Sequence, residues 1–298
     1  MAVLPFLLVD AFTDRALAGN ACAVVLDADA LDDETMQAIA REMNQSETAF
    51  VRRAEGADAA VRFFTPAEEI PLAGHPTIAT VKALLDVGRV PRGPGASTIS
   101  LELRDGPIAV EIRPVGDDGE QITMTQRRPV FAREYDPVDV TTAFGLTALD
   151  VRPDARIQTV STGTPQLMLP VRDEDALRRA VVDVRRYDAL RRAGDFFSPH
   201  LFVVRPGAEA GRGRTFARHF GVPPDSPEDP FTGSATGGMA AYLWRYGLLE
   251  APRFVAEQGT WMGRPGFADV EVVGERDAIE SVRVGGRAVT VARGTLAL

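Results

Sequence analysis

Apolar residues in this chain fall mostly in short blocks, broken by a few stretches where they recur at helical spacing. "LPFLLVDAF" (4–12) and "ACAVVLDA" (21–28) are two such blocks, parted by the turn-rich "TDRALAGN". Strands are expected for both. "DDETMQAIAREMN" (32–44) then sets Met36, Ile39, Ala40 and Met43 on one helical face. Its acids lie in the first turn, where the helix dipole favours them. "ETAFVRR" and "AAVRFFT" read as strands, followed by "PAEEIPLAGHPT", the apolar helix "TIATVKALLDVG", and the strands "STISLEL", "PIAVEIR" and "QITMTQ".

The second half is written in the same style. "IQTVS", "QLMLPVR" and "HLFVVRP" read as strands, and "EDALRRAVVD" and "YDALRRAG" as short helices. "EDPFTGSATGGMAAYLW" (228–244) changes midway from small polar residues to a buried helix. "RFVAEQG", "FADVEVVG" and "AIESVRVGGRAVTVARG" close the chain as strands. The Pro- and Asp-rich "PVFAREYDPVD" (129–139) is the expected linker. The expected lobes are residues 1–128 and 129–298, with the last strand able to pack back on the first lobe.

Two segments overlay at an offset of 159 residues: "AGHPTIATVKALLDVG" (73–88) and "TGSATGGMAAYLWRYG" (232–247). Each has Gly, a polar residue (His75 or Ser234), Thr two positions on, and an apolar run closed by Gly88 or Gly247. A helix apolar nearly all round belongs inside a wall of structure. The closing glycines sit where a left-handed C-cap is expected. The fold class expected is α/β of the α+β kind. It has two pseudo-symmetric lobes, each a barrel-like, mostly antiparallel sheet around a central helix (near 75–87 and 234–246).

Composition narrows the function classes. Of 298 residues, 45% are hydrophobic and 25% charged, ordinary for a globular protein. No apolar run reaches the roughly 20 residues that cross a bilayer, and "MAVLPFLLVDAF" lacks a basic n-region and a cleavage site. A cytoplasmic protein without a membrane partner is expected. The net charge of −9 argues against nucleic acid as a partner. Cys22 is the one cysteine, which excludes an intramolecular disulfide and a cysteine-rich metal site. Lys82 is the one lysine, so a Schiff-base mechanism has a single candidate.

Helix N-termini carry unpartnered N–H groups and attract anions. Two such ends, each preceded by glycine, point to a small carboxylate-bearing ligand. The alternative is that Ser234 and Thr236 only cap their helix. His75 precedes Pro76 in a first turn, where an imidazole is kept neutral. His200 and His219 read as structural. Glu47 in "MNQSETAFV" is either a buried, proton-moving carboxyl or a surface residue at a strand start. Asp229 in "EDPF" is either a turn residue or a catalytic acid. No HExxH, Walker loop, GxGxxG or GxSxG is present, and the three histidines are too scattered for a zinc site. No cofactor and no metal are expected.

"VDAFTDRALAGNACAVV", "NQSETAFV", "FTPAEEIPLAGHPT", "STGTPQL", "EDPFTGSATG" and "EQGTWMGRPG" resemble, in order and over nearly the whole chain, the signature blocks of the PhzF-like (phenazine biosynthesis) isomerases. That family shares the diaminopimelate epimerase fold, with its active site between two similar lobes. The resemblance implies a cofactor-independent isomerase acting on a small cyclic or unsaturated carboxylate like trans-2,3-dihydro-3-hydroxyanthranilate. It implies that Glu47 moves a proton between carbons, and that His75 and Asp229 orient the substrate and assist protonation. Ser234, with Gly74, Gly233 and Ala235, would hold the carboxylate. Related racemases carry a cysteine at the start of each central helix; here those positions are His75 and Ser234, which speaks against a two-thiol racemase. Ala21-Cys22, Phe231 and Gly266 depart from the family pattern, and Phe231 is expected to narrow the pocket. Family members are often homodimers, though no stretch of this chain specifies an interface. Competing readings are a binding module of the same fold, an epimerase without the thiol pair, and a Lys82 Schiff-base enzyme.

Overall fold

Strands dominate, as the short apolar blocks require. The computed structural model describes residues 3–116, 119–207, 211–223 and 228–298. The chain divides into two units, one formed by residues up to 125 with 285–298, the other by 126–284.

In the first unit, β1 (Val3–Ala11) and β2 (Asn20–Val25) form an antiparallel hairpin. The C-terminal strand Ala288–Ala297 pairs antiparallel along the other edge of β1. Helix α1 (Asp33–Met43) makes the crossover to β3 (Glu47–Arg52), which lies parallel to β2. The expected apolar stripe of α1 buries Met36, Ile39 and Ala40 against Val25, Phe50 and Phe64. β4 (Ala59–Phe64) runs antiparallel to β3 and to the two-residue β5 (Glu69–Ile70). Helix α2 (Gly74–Asp86) follows and packs on β1, β2, β3 and the C-terminal strand. β6 (Ser97–Leu103) pairs parallel to β4 and continues antiparallel into β7 (Gly106–Val115) and β8 (Gly119–Gln126).

The second unit starts where a linker was expected. Instead, "PVFAREYDPVD" builds strand β9 (Val130–Tyr135), paired antiparallel to β10 (Ile157–Ser161), and opens helix α3 (Pro137–Thr141). Its Pro and Asp are used locally: Asp136 accepts from the Val138 N–H at 2.8 Å, and Pro137 occupies the first helical position. β11 (Pro165–Pro170) leads through α4 (Glu174–Arg179) and α5 (Val184–Ala193) to the parallel β12 (Ser198–Val204). The helix expected over "EDALRRAVVD" stops at Arg179. Asp183 is taken as the N-cap of α5, and Arg218 collects the freed carbonyls of Leu177 and Ala180 at 3.0 and 2.8 Å. β13 (Thr215–Phe220) runs antiparallel to β12 and to the two-residue β14 (Glu228–Asp229). Helix α6 (Gly233–Arg245) packs on β10, β11 and β16 (Gly266–Glu275). β15 (Arg253–Gln258) is parallel to β13 and antiparallel to β16, and β17 (Ala278–Gly286) follows. Among the described residues, no helix is long and apolar enough to cross a membrane.

The repeat seen at an offset of 159 residues extends well beyond the helices. α2 and α6 have 13 residues each and start and stop in matching places. Both close in a Schellman motif, with Gly88 and Gly247 left-handed at φ 74° and 69°. The short strand before each helix is held by the same device. Arg62 grips Glu69 at 2.8 and 2.8 Å, and Arg218 grips Glu228 at 2.9 and 2.7 Å. Each guanidinium also lies over the ring of the phenylalanine two residues on, Phe64 or Phe220. The central helix of each unit is thus anchored at its entry by a two-pronged ion pair, the strong form of this contact.

Lys82 has a structural task. Its ammonium lies 3.0 Å from Asp86 and 3.1 Å from Glu120, and Arg92 bonds the same two carboxylates. The amine is enclosed in an ion-pair ring near the C-terminal end of α2, two turns from the helix's N-terminus. Lys82→Met should cost about 2 kcal/mol of stability, because Glu120 is left with less compensation, and should leave turnover unchanged. Loss of turnover in a folded variant would revive the Schiff-base reading.

Candidate active site

In the first unit, strand register puts the chemistry on one face. Cys22 and Glu47 are partners across the parallel pair of β2 and β3, and Asn20 lies two residues before Cys22. Residues two apart on a strand share a face, so Asn20, Cys22 and Glu47 point the same way. The first turn of α2 supplies His75. Its Nε2 lies 3.3 Å from Glu47 Oε2, and its Nδ1 lies 3.1 Å from Asn20 Nδ2. His75 is 4% exposed and Glu47 20% exposed, so both side chains are largely buried. The same carboxylate acts on Cys22: burial first, and the Glu47 charge second, push the thiol well above its ordinary range. Cys22 therefore stays a protonated thiol and is no nucleophile.

The second unit brings Asp229, Gly233, Ser234 and Ala235 together around the start of α6. Asp229 sits on β14 opposite His219 of β13. Thr232 donates its hydroxyl to Asp229 Oδ2 at 2.5 Å, which turns the carboxylate toward the helix end. Gln258 ties the corner: its amide donates to the Asp229 carbonyl at 2.7 Å and accepts from the Thr232 N–H at 3.2 Å. Gln126 donates to the Gly233 carbonyl at 2.9 Å and accepts from the Thr162 hydroxyl at 2.6 Å. Asp229 and Ser234 are half-buried, and Gly233 and Ala235 are buried.

Both central helices begin without a side-chain cap. α2 follows Ala73, and α6 follows Thr232, whose hydroxyl is committed to Asp229. The threonines of the two first turns, Thr77 and Thr236, bond back to the carbonyls of Ala73 and Thr232 at 2.7 and 3.0 Å. Neither caps its helix. The other α-helices among the described residues each have an Asp cap: Asp32, Asp136, Asp173 and Asp183. Beside four ordinary caps, α2 and α6 thus start without a side-chain cap, and helix ends of that kind attract anions.

Two departures from the expected pattern explain each other. Phe231 is fully buried, and a Cβ at position 266 would come within 2.6 Å of its ring. The larger side chain at 231 therefore requires glycine at 266, and the two form one packing unit inside the second unit.

His200 and His219 belong to a buried polar chain. Ser198 donates to Gln166 at 2.7 Å and so accepts from His219 Nε2 at 2.9 Å. His219 Nδ1 then accepts from His200 Nδ1–H at 3.3 Å. Burial drives both histidines below their ordinary range. For His200 the neighbouring His219 adds to this; for His219 the charge of Asp229 opposes it, leaving it at about 4. Both are neutral in the fold, whereas the unfolded chain takes up their protons near pH 6.5. Stability should be full above that pH and fall as pH drops toward 4, by about 1.4 kcal/mol per pH unit for each histidine. Urea melts at pH 7.5 and 5.5, above the carboxylate range, measure this directly. Equal midpoints would refute it.

Sequence reasoning missed Asn20, Gln126, Thr232 and Gln258. Asn20 and Gln258 lie inside "AGNACAVV" and "EQGTWMG", but a polar residue at a strand end carries no periodic signal. Their partners are 55 and 26 or more residues away in sequence.

Each unit is a strand-rich sheet on a central helix with an open N-terminus, and this defines the class: a diaminopimelate epimerase-like α+β enzyme. A probable proline racemase from Agrobacterium radiobacter shares the fold, with a TM-score of 0.70 at 13% identity, over 99% of this chain and 93% of that one. A PhzF-family phenazine biosynthesis protein from Bacillus anthracis superposes with a TM-score of 0.88 at 27% identity, over 100% of both chains. The trans-2,3-dihydro-3-hydroxyanthranilate isomerase of Pseudomonas fluorescens is 34% identical over 309 residues, covering 98% of this chain and 99% of its own. The family model for phenazine biosynthesis-like proteins (PhzC-PhzF) matches residues 9–294. The chain belongs to this family, and it is an isomerase.

Proposed function

We propose that the enzyme moves a proton between two carbons of a small, carboxylate-bearing cyclic or unsaturated substrate, using Glu47 as base and then as acid. The observation that carries this reading is the contact of Glu47 with His75 at 3.3 Å, at the open end of α2. A largely buried carboxylate on a rigid strand can take a proton from a carbon whose anion is delocalised into a neighbouring π-system. The C–H bond breaks, its electron pair enters the π-system, and Glu47 becomes a carboxylic acid. On Glu47 the proton exchanges with solvent, and delivery of a proton from Glu47 to a different carbon completes the isomerisation, with no electrons leaving the substrate. The first-turn N–H groups of an open helix stabilise the anion while it exists. Pre-placed donors of this kind contribute about 3 kcal/mol each.

Asp229 and Ser234 are assigned supporting roles: Asp229 orients the substrate and assists protonation, and Ser234 holds the carboxylate with the N–H groups of Gly233 and Ala235. The open start of α6 and the fixed Asp229 carboxylate support this. A two-thiol racemase is disfavoured by the side chains themselves, since His75 and Ser234 stand at the two helix starts and Cys22 is a buried thiol. A substrate related to trans-2,3-dihydro-3-hydroxyanthranilate is the first to test, because the Pseudomonas fluorescens relative bears that activity in its name. The assay is NMR in deuterated buffer with purified protein and no added cofactor, over that compound and a panel of cyclic β,γ-unsaturated amino and hydroxy acids. Deuterium at a second carbon, with a shifted double bond, is the expected product. Isomerisation that occurs only with an added redox or pyridoxal cofactor would overturn the reading.

A further inference from the structure

Asn20 reaches its place through an unusual loop. Between β1 and β2 the backbone turns left-handed at Phe12, Leu17 and Gly19, with φ of 62°, 65° and 57°. Asp10, 1% exposed, accepts from the Leu17 N–H at 2.7 Å and braces the loop from inside. Thr13 ties it further by bonding to Arg15 at both N–H and carbonyl, at 3.2 and 3.1 Å. Left-handed non-glycine residues are uncommon and cost energy unless the surroundings impose them. What this loop delivers is a single asparagine, 2% exposed, with its amide nitrogen 3.1 Å from His75 Nδ1.

We infer that Asn20 is a positioning residue that fixes the tautomer of His75, so that Nε2 carries the proton and faces Glu47. An amide nitrogen has only hydrogens to offer, so the imidazole nitrogen it meets must accept. Nδ1 is then the bare nitrogen, and the protonated Nε2 lies 3.3 Å from Glu47 Oε2. The consequence is chemical. His75 offers Glu47 a donor and no acceptor, so it orients the carboxylate and takes no proton from it. His75 is therefore not a carrier of the proton lifted from the substrate, which leaves Glu47 only by exchange with solvent or by return to carbon. Asn20 thus acts through His75, as second partners of functional histidines commonly do. Only this catalytic consequence rests on the function proposed above; the tautomer itself does not.

The test uses the full-length protein labelled with ring-15N histidine. Three histidines give three spin systems, and His75→Gln assigns the one in question. Long-range 1H–15N spectra at pH 7.5 without substrate should show His75 as a single Nε2–H tautomer. In Asn20→Asp the donor becomes an acceptor, and Nδ1 should gain a proton. In Asn20→Leu the amide donor to Nδ1 is gone, and the single-tautomer signature should be lost. A wild-type spectrum with the proton on Nδ1 overturns the inference even if neither variant folds. An unchanged Nε2–H signature in both folded variants overturns it equally. Because no turnover is measured, failure here is separate from failure of the Glu47 assignment, which isotope exchange tests.

Discussion

Replacing Glu47 with Gln is expected to slow exchange of substrate C–H for solvent deuterium by about 10²–10⁴-fold, the usual worth of a positioned acid–base group. Gln keeps the size of the side chain and places an amide beside His75 Nε2, so the start of α2 keeps its neighbour. It has no basic oxygen at neutral pH, so the C–H bond has nothing to give its proton to. Stability should change by less than about 1.5 kcal/mol, as for other volume-conserving swaps. Exchange at the wild-type rate in a folded Glu47→Gln variant would remove Glu47 from the mechanism. Retained exchange with lost isomerisation would separate abstraction from re-delivery, and would assign the returning proton to another group.

Gly19→Ala should damage the enzyme about as severely through its backbone. A Cβ at position 19 would lie 2.1 Å from the carbonyl oxygen of Ala11, and φ there is 57°. The obstacle is main chain of the neighbouring strand, which no rotamer change relieves. The left-handed conformation alone costs an alanine about 1–2 kcal/mol. Together with displacement of β1 against β2, a loss of about 3–5 kcal/mol is expected. Ala11 is the register partner of Asn20, so any relief of the clash moves Asn20 off His75. Urea unfolding gives the stability loss, and the His75 spectrum described above reports the displacement. A variant within about 1 kcal/mol of wild type would show the loop to be far more pliant than its three left-handed residues indicate.

Much of this molecule is written locally. The short apolar blocks specify β1 through β4, and the apolar stripe of α1 specifies the face it buries. The matching layouts of "AGHPT" and "TGSAT" announce two equivalent central helices, because a helix apolar all round has only one kind of place to go. Motif order was enough to assign the isomerase family. Local signals failed where one residue type serves two ends: the Pro and Asp of "PVFAREYDPVD" suit a linker as well as they suit a strand followed by a capped helix. Only pairing with β10 decides between them.

What tertiary structure alone decided is how polar side chains spend their hydrogen bonds. Thr232 sits in the N-cap position of α6, yet its hydroxyl goes to Asp229 and the helix has no side-chain cap. An asparagine after a glycine reads as a turn, yet Asn20 holds a histidine 55 positions away. A helix needs only its own few neighbours to form, so sequence spacing reports it. A buried donor must find an acceptor wherever the fold puts one, and that place is set by strand register and by the packing of α2 and α6, which no short window of sequence contains.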